Sequence, residues 1–476
     1  MRTSTIVELM LKSPFNLASS QVKRMQIASK GFPWLLAMSL YSVSWGWSLL
    51  RPNTLYWDDW AFIYGQPKNY LNQIFVDTGL PPWRAIIDQE LIAIGYWTIP
   101  VLTFIMFFAT GIFLYQILCS VKKITDSQRK IILLAFLLVP INNSRIALVL
   151  FGYSTSYFLF FLSWYLLIIG KKNVTFIMSV ILFFWSFMTH SFVFFYVLPV
   201  GHFFLEQVIQ KRKIFATRVL ILLSLPFIYF FLRSQFWAPT PEWVGYHRFI
   251  PVGAFRCVVL TVIGLIIIFG AFKITKKYQS NNQATVLTLS GWLIFCLGLF
   301  PYFANGRIPD YLTIIAFRSD WGGRHLMLTP LGISLMIGGV AEFFNNRIKA
   351  FFIASTLSIC VIVNLFFSSQ FFLDSLKKDE LTNLFEAAKS SSELNEKSLI
   401  VFVDETKIFN GRFSTYRDPE LRAKLEIADL KVASITGKVV CDEVPGGVEM
   451  RIKTKKNYVS ALISRDLELY FEITKC

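Results

Sequence analysis

Charge is what this chain of 476 residues has least of: Asp, Glu, Lys and Arg make up 16% of it, against about 25% in an ordinary soluble domain. That shortage, with 54% hydrophobic residues, 48 Phe and a mean hydropathy of +0.52, excludes a water-soluble globule and places the chain in a bilayer. Histidine is nearly absent, and its four copies show no metal-ligand spacing, so no metal centre is legible. The first apolar segment is followed by "SLLRPNTLYW" without a small-residue cleavage site, which makes it an uncleaved span and not a signal peptide. The net charge of +17 would suit nucleic acid. The basic residues form no single patch or stripe, however, so no nucleic-acid partner is expected.

What is abundant is long apolar sequence. Runs able to cross a bilayer as helices, roughly 17 to 25 residues each, recur near 33–50, 98–119, 131–150, 155–170, 173–189, 191–207, 219–235, 254–272, 284–302, 325–341 and 350–368. The expected fold is therefore a polytopic α-helical membrane protein with about eleven transmembrane helices. Pro140 and "NNSR" at 142–145 interrupt the run at 131–150, so part of it is expected to be re-entrant or juxtamembrane.

The basic residues punctuate alternate loops: Lys12, Lys23, Arg24 and Lys30, then Lys122, Lys123, Arg129 and Lys130, then Lys171 and Lys172, then Lys211, Arg212 and Lys213, then Lys273, Lys276 and Lys277, then Arg347 and Lys349. The positive-inside rule puts these loops, and the segment 1–32, in the cytoplasm. An odd number of spans then leaves the C-terminal part outside.

The opposite set of loops differs in chemistry. It contains "RPNTLYWDDW", "GLPPWRAIIDQE", "NNSR", "THS" at 189–191, "RSQFWAPTPEWVGYHRF" at 233–249 and "NGRIPDYLTIIAFRSDWGGRH" at 305–325. Lys is nearly absent there, Lys68 being the exception, whereas Arg, Asp, His and Trp are plentiful. Arginine has a planar fork that matches phosphate oxygens and stays charged when partly buried, so this face suits an anionic, sugar-like or lipid-like substrate. Plainer readings exist for single residues. Asp58 or Asp59 would serve as a helix cap, and Tyr56, Trp57, Trp60, Trp97, Trp237, Trp243 and Trp321 fall where an aromatic belt would put them. His190 reads equally well as a structural histidine or as a ligand, and His202 and Glu206, on the cytoplasmic side, receive no role. The acidic pair beside the first span, arginines in several later outer loops and no substantial charge inside the spans together describe chemistry at a membrane surface. A transporter would more often bury ionisable groups near the midplane.

At these residues the chain resembles a family. "WDDW" in the first outer loop, "GLPPWRAII" after it, and "GGRHLMLTPL" at 322–331 leading into a late span are similar to motifs of the GT-C glycosyltransferases, and most of all to the bacterial and phage-encoded O-antigen glucosyltransferases. The resemblance covers roughly residues 33–368. It departs from that pattern in "GLPPW", where an Arg would precede Pro, and in "THS", where Lys-Glu often stands. It implies an enzyme of the bacterial cytoplasmic membrane. Glucose or another hexose would pass from a polyprenyl-phosphate donor to a cell-surface polysaccharide such as O-antigen, or to a lipid-linked acceptor, on the outer face.

The residues suit that chemistry. A lipid phosphate leaving group needs charge stabilisation more than a general acid, and arginines supply it. A sugar hydroxyl needs a base, which one carboxylate supplies. A single in-line displacement inverts the anomeric centre and demands no second catalytic carboxylate. Neighbouring residues in a helix point about 100° apart, so Asp58 and Asp59 take different parts. Asp58 is read as the base, and Asp59 as orienting the acceptor or holding a divalent cation, with the reverse order open. Arg324, with Arg307, Arg318 and His325 beside it, is assigned to the donor phosphate, with Arg145 as a helper, and Trp57, Trp60 and Trp321 to sugar stacking. An O-antigen polymerase and a lipid-linked oligosaccharide transporter are the alternatives.

Beyond Asp374, "LDSLKKDELTNLFEAAKSSSELNEK" reads as an amphipathic helix and linker. "SLIVFVDE", "LKVASITGKVVCDEV", "VEMRIKT" and "YVSALISRDLELYFEITKC" read as strands. Residues 369–476 are thus expected to form a small extracytoplasmic α+β domain after the transmembrane domain 33–368. Cys119, Cys257, Cys296 and Cys360 read as apolar fillers. Cys441 and Cys476 are expected to pair in the oxidising exterior.

Overall fold

The computed structural model describes residues 33–59, 63, 70–170, 172–209, 216–244, 248–275, 282–308, 321–389, 399–405, 431–434 and 447–475. In chain order its helices are α1 Trp34–Trp45, α2 Tyr70–Asp77, α3 Pro82–Ile94, α4 Thr98–Ser120, α5 Asp126–Leu138, α6 Phe151–Ile169, α7 Asn173–Ser186, α8 Ser191–Phe195, α9 Val197–Ile209, α10 Ala216–Phe236, α11 Pro241–Val244, α12 Pro251–Thr275, α13 Asn282–Ala304, α14 Thr329–Ala341, α15 Asn346–Lys389 and α16 Tyr458–Ser464. The strands are β1 Leu399–Asp404, β2 Lys431–Ser434, β3 Gly447–Thr454 and β4 Leu469–Lys475.

The chain is a polytopic helical membrane protein. Among the described residues, six helices are long and apolar enough to cross a bilayer: α4, α6 with the turn before it, α10, α12, α13 and α15. Helix occupies each apolar run read from the sequence, but α7, α8 with α9, and α14 are shorter apolar helices, so helix length does not establish eleven crossings. Two further runs, those of α1 and α5, are only partly α-helical. α1 ends at Trp45 and passes into the 3-10 turn Gly46–Leu50. α5 starts on a capping box, with Thr125 and Gln128 exchanging side-chain and backbone bonds, and stops before Pro140, because Val139 precedes a proline and turns extended (ψ 122°).

Aromatic rings fill the core. Phe160, Phe161, Phe183, Phe187, Phe192 and Phe195 are all fully buried, with Phe160 4.9 Å from Phe192 and 5.4 Å from Phe183. α13 crosses α14 backbone against backbone. A methyl group on Gly332 would meet Phe295 N at 2.4 Å, and one on Gly291 would meet Met336 N at 2.6 Å, so only glycine lets these backbones approach. That crossing fixes the segment 321–328, which leads directly into α14.

α15 is a single 44-residue helix running through positions 368 and 369 without a break, so the expected boundary between membrane part and C-terminal part falls inside a helix. Its C-terminal half carries the C-terminal domain, through a cluster of Leu373 and Leu376 with Ala461 and Leu467. Glu380 adds to the seam by accepting the Leu467 N–H at 3.1 Å and the Leu469 N–H at 3.2 Å. The sheet has the order β2-β1-β3-β4, with β1 parallel to β2 and β3, and β3 antiparallel to β4. One reading is corrected here: residues 458–464, expected as a strand, form α16. Asn457 caps it by accepting the Ser460 N–H at 2.9 Å, and Ala461 is buried beneath it. Its β-branched content was outweighed by the cap and by docking on α15. Cys441 and Cys476 lie outside the described residues, and Cys119, Cys257, Cys296 and Cys360 are free thiols.

Candidate functional site

The acidic pair sits in a tight turn. Asp59 N–H donates to the Tyr56 carbonyl at 3.0 Å, and Trp57 is left-handed (φ 48°), a conformation that a bulky side chain adopts only where its surroundings hold it. The holding group is Asp59 itself. Its Oδ2 accepts the Tyr56 N–H at 2.9 Å, its Oδ1 accepts the Val149 N–H at 2.9 Å, and its side chain is fully buried. Burial pushes its carboxyl up to about 7, outweighing the backbone N–H groups that favour the charged form. Asp58, one residue back, is half-buried. The two carboxylates therefore have different environments, as their adjacency implied.

The turn is clamped from the C-terminal side. Lys378 on α15 donates to the Leu55 carbonyl at 2.6 Å, lies 4.8 Å from the centre of the Tyr56 ring, and stands 3.6 Å from Asp374, all but enclosed. Tyr56 donates its hydroxyl to the Phe371 carbonyl at 3.2 Å. Burial raises the Tyr56 hydroxyl well above its ordinary value, so it stays a donor. The half-buried Trp57 ring packs edge-on against Phe371 at 5.7 Å.

The second segment is "NNSR". Asn142 is left-handed (φ 62°), which turns the chain after Pro140 into the short 3-10 turns Asn143–Ile146 and Leu148–Leu150. Arg145 points inward, its guanidinium carbon 3.6 Å from the centre of the Trp45 ring and 4.3 Å from that of Phe107, a desolvated cation–π arrangement. Beside it is a cavity of about 10 Å³, bordered by Tyr41, Asn142 and Tyr157. That is room for about one water and too little for a phosphate.

The third segment is "WGGRH". Gly323 lies against Ser144 and Asn143, with space for a methyl group 3.6 Å from Ser144 Oγ. His325 is buried, its ring 4.9 Å from that of Tyr302, and Tyr302 donates to Ser191 Oγ at 3.2 Å, which joins "THS" to the same region. Arg324 and Arg307, both half-buried, are near enough to act electrostatically on His325 and Tyr302. The turn of Asp58 and Asp59, "NNSR", "THS" and "WGGRH" thus share one end of the bundle. His190 is turned elsewhere, against Tyr229 and Phe230 at 6.0 and 5.8 Å. Trp60 and Arg318 lie outside the described residues, as does the Trp321 side chain.

A further ion pair was not singled out by the sequence reading. Arg84 and Asp88, one turn apart on α3, pair at 2.9 Å with both side chains nearly enclosed, and Arg84 lies over the Phe151 ring at 5.1 Å. Burial pushes the Asp88 carboxyl up to about 6, against the lowering effect of Arg84. The i, i+4 spacing of Arg and Asp in "WRAIID" was the available signal; burial was not legible in it. Among the described residues, no group of three or more His, Cys, Asp or Glu could hold a metal ion. No family model, curated protein or solved structure matches this chain.

Proposed function

We propose that this protein is a GT-C-like glycosyltransferase that moves a hexose from a polyprenyl-phosphate donor to a polysaccharide or lipid-linked acceptor such as O-antigen, by inverting displacement at the outer face of the bacterial cytoplasmic membrane. In this reading the chain crosses the membrane about eleven times, with the N-terminal segment in the cytoplasm and the C-terminal domain outside. The observation that carries it is the convergence of the Asp58–Asp59 turn with the segment holding Arg324 and His325, joined through Asp59 to Val149 and Gly323 to Ser144.

Asp58 takes the acceptor hydroxyl proton. Asp59 holds the turn that presents it, both its oxygens being engaged by backbone N–H groups. Arg324 and Arg307, with Arg318, meet the donor phosphate, where a developing negative charge is stabilised by a fixed cation. Arg145, enclosed by aromatic rings, acts on that site through its charge and through packing. Trp57, Trp60 and Trp321 contribute aromatic faces to the sugar. The test is the purified full-length chain in lipid, given polyprenyl-phosphate hexose and an isolated polysaccharide acceptor. Mass spectrometry should find one hexose added per repeat. A change of chain length alone would point to a polymerase, and no covalent change to a transporter.

A further inference from the structure

α16 belongs to the C-terminal domain, yet its outer side is apolar. Ala461 is buried in the seam with α15, whereas Val459 and Ile463, one turn apart, are 62% and 78% exposed. These residues are not isolated. The Tyr458 ring lies 6.3 Å from that of Phe366 on α15, and Phe366 continues the outward apolar face formed by Ile359 and Ile362. On the other side, exposed Trp47 and Leu50 extend the outward face of α1, which carries Leu35, Leu36 and Val43. The exposed apolar faces of α15 and of the shorter α1 therefore reach α16, and hydrocarbon is the covering that its exposed side chains call for.

Between α16, α15 and the end of α1 lies a groove of about 430 Å³, a size within the usual range for small-ligand sites of about 300–1,000 Å³. Trp47, Leu50, Phe372, Leu462 and Ile463 give it apolar walls, and Arg51 and Arg465 bring two positive charges to it. Arg51 is held in place by an ion pair with Asp379 and by the Phe372 ring, 5.6 Å away. Arg465 is exposed at the left-handed cap of α16 (φ 54°).

We propose that this groove binds an anionic phospholipid of the surrounding bilayer, its phosphate between Arg51 and Arg465 and an acyl chain along Trp47, Leu50 and Ile463, and so seats the C-terminal domain on the membrane surface. Apolar walls disfavour a free hydrophilic anion, and two guanidinium groups, of which among the described residues only that of Arg51 is offset by a carboxylate, favour a phosphate over a neutral headgroup. Its lining residues are not those assigned to the sugar transfer, and the proposal does not depend on that reaction.

The test is native mass spectrometry of the full-length protein in detergent, titrated separately with phosphatidylglycerol, phosphatidylcholine, a polyprenyl phosphate and inorganic phosphate. Phosphatidylglycerol should be retained over phosphatidylcholine. Arg465→Glu should lower that retention by about tenfold or more, as a reversed charge at a lipid surface implies, and Arg465→Lys should keep most of it. Ile463→Asp should lower it as well. Both positions are exposed, so the thermal midpoint should hold in each variant. Equal retention by wild type and Arg465→Glu would overturn the proposal. So would displacement by inorganic phosphate, or preference for the polyprenyl phosphate.

Discussion

The Asp59 carboxylate accepts the backbone N–H of Val149, 90 residues further along the chain, at 2.9 Å. Through this bond the acidic turn of the first loop is stapled to the short 3-10 turns ahead of α6, while Asp58 stays on the half-open side of the same turn.

Asp58 and Asp59 should therefore fail in different ways when neutralised. Asp58→Asn should lower sugar transfer by about 10²-fold or more, in line with loss of a general base, with thermal stability unchanged. Asp59→Asn places an NH₂ group against one of two backbone N–H donors, and should destabilise the fold by about 1–3 kcal/mol. Calorimetry and a transfer assay on the two variants check this. Wild-type transfer by Asp58→Asn would remove its assignment as base.

Stability should also carry a pH signature. The folded chain holds a proton on Asp59 up to about 7 and on Asp88 up to about 6, whereas an unfolded Asp loses it near pH 3.9. Both raised groups bind more protons folded than unfolded in that window. Their contribution is full below it and is lost as pH rises through about 6 to 7. The thermal midpoint in detergent should fall from pH 5 to pH 8, and less steeply in Asp59→Asn. A midpoint that rises over this range would refute the assignment.

The Arg84–Asp88 pair should be more sensitive to single than to double replacement. Arg84→Met leaves a buried carboxylate without its cation and should cost about 3–5 kcal/mol, while Arg84→Met with Asp88→Leu should cost far less. Chemical denaturation of both variants measures the difference; equal losses would show that the pair is effectively solvated.

Arg324→Lys keeps a positive charge but loses the planar fork. Donor affinity should weaken more than acceptor affinity, which separate titrations of the two substrates can read. Equal weakening would move the donor phosphate away from Arg324.

Orientation is open to a direct check. Alkaline phosphatase fused after the C-terminal domain should be active, and a reporter that works only in the cytoplasm should be silent there. The reverse pattern would put α16 and the turn of Asp58 on the cytoplasmic side.

The sequence by itself determined the solvent: too little charge and too much apolar length for water, with the lysines between apolar runs, Lys68 apart, gathered in alternate loops. It also marked segments rich in Arg, Asp and Trp against the apolar runs, and the structure draws some of these together, around Asp59, Ser144 and Gly323. It assigned the neighbours Asp58 and Asp59 different parts but left open which was which. That difference depends on Val149, whose N–H reaches Asp59 only after α4 and α5 have packed. Likewise Arg145 read as one more outer arginine until α1 and α4 enclosed it with Trp45 and Phe107. Residues 458–464 alternate like a strand, but docking on α15 and the Asn457 cap made them helical. Composition and periodicity are local properties and report which medium a segment prefers. Burial and hydrogen-bond partners are settled between residues far apart in the chain, so only the tertiary structure decided which charged groups are enclosed and hold the fold and which stay partly open.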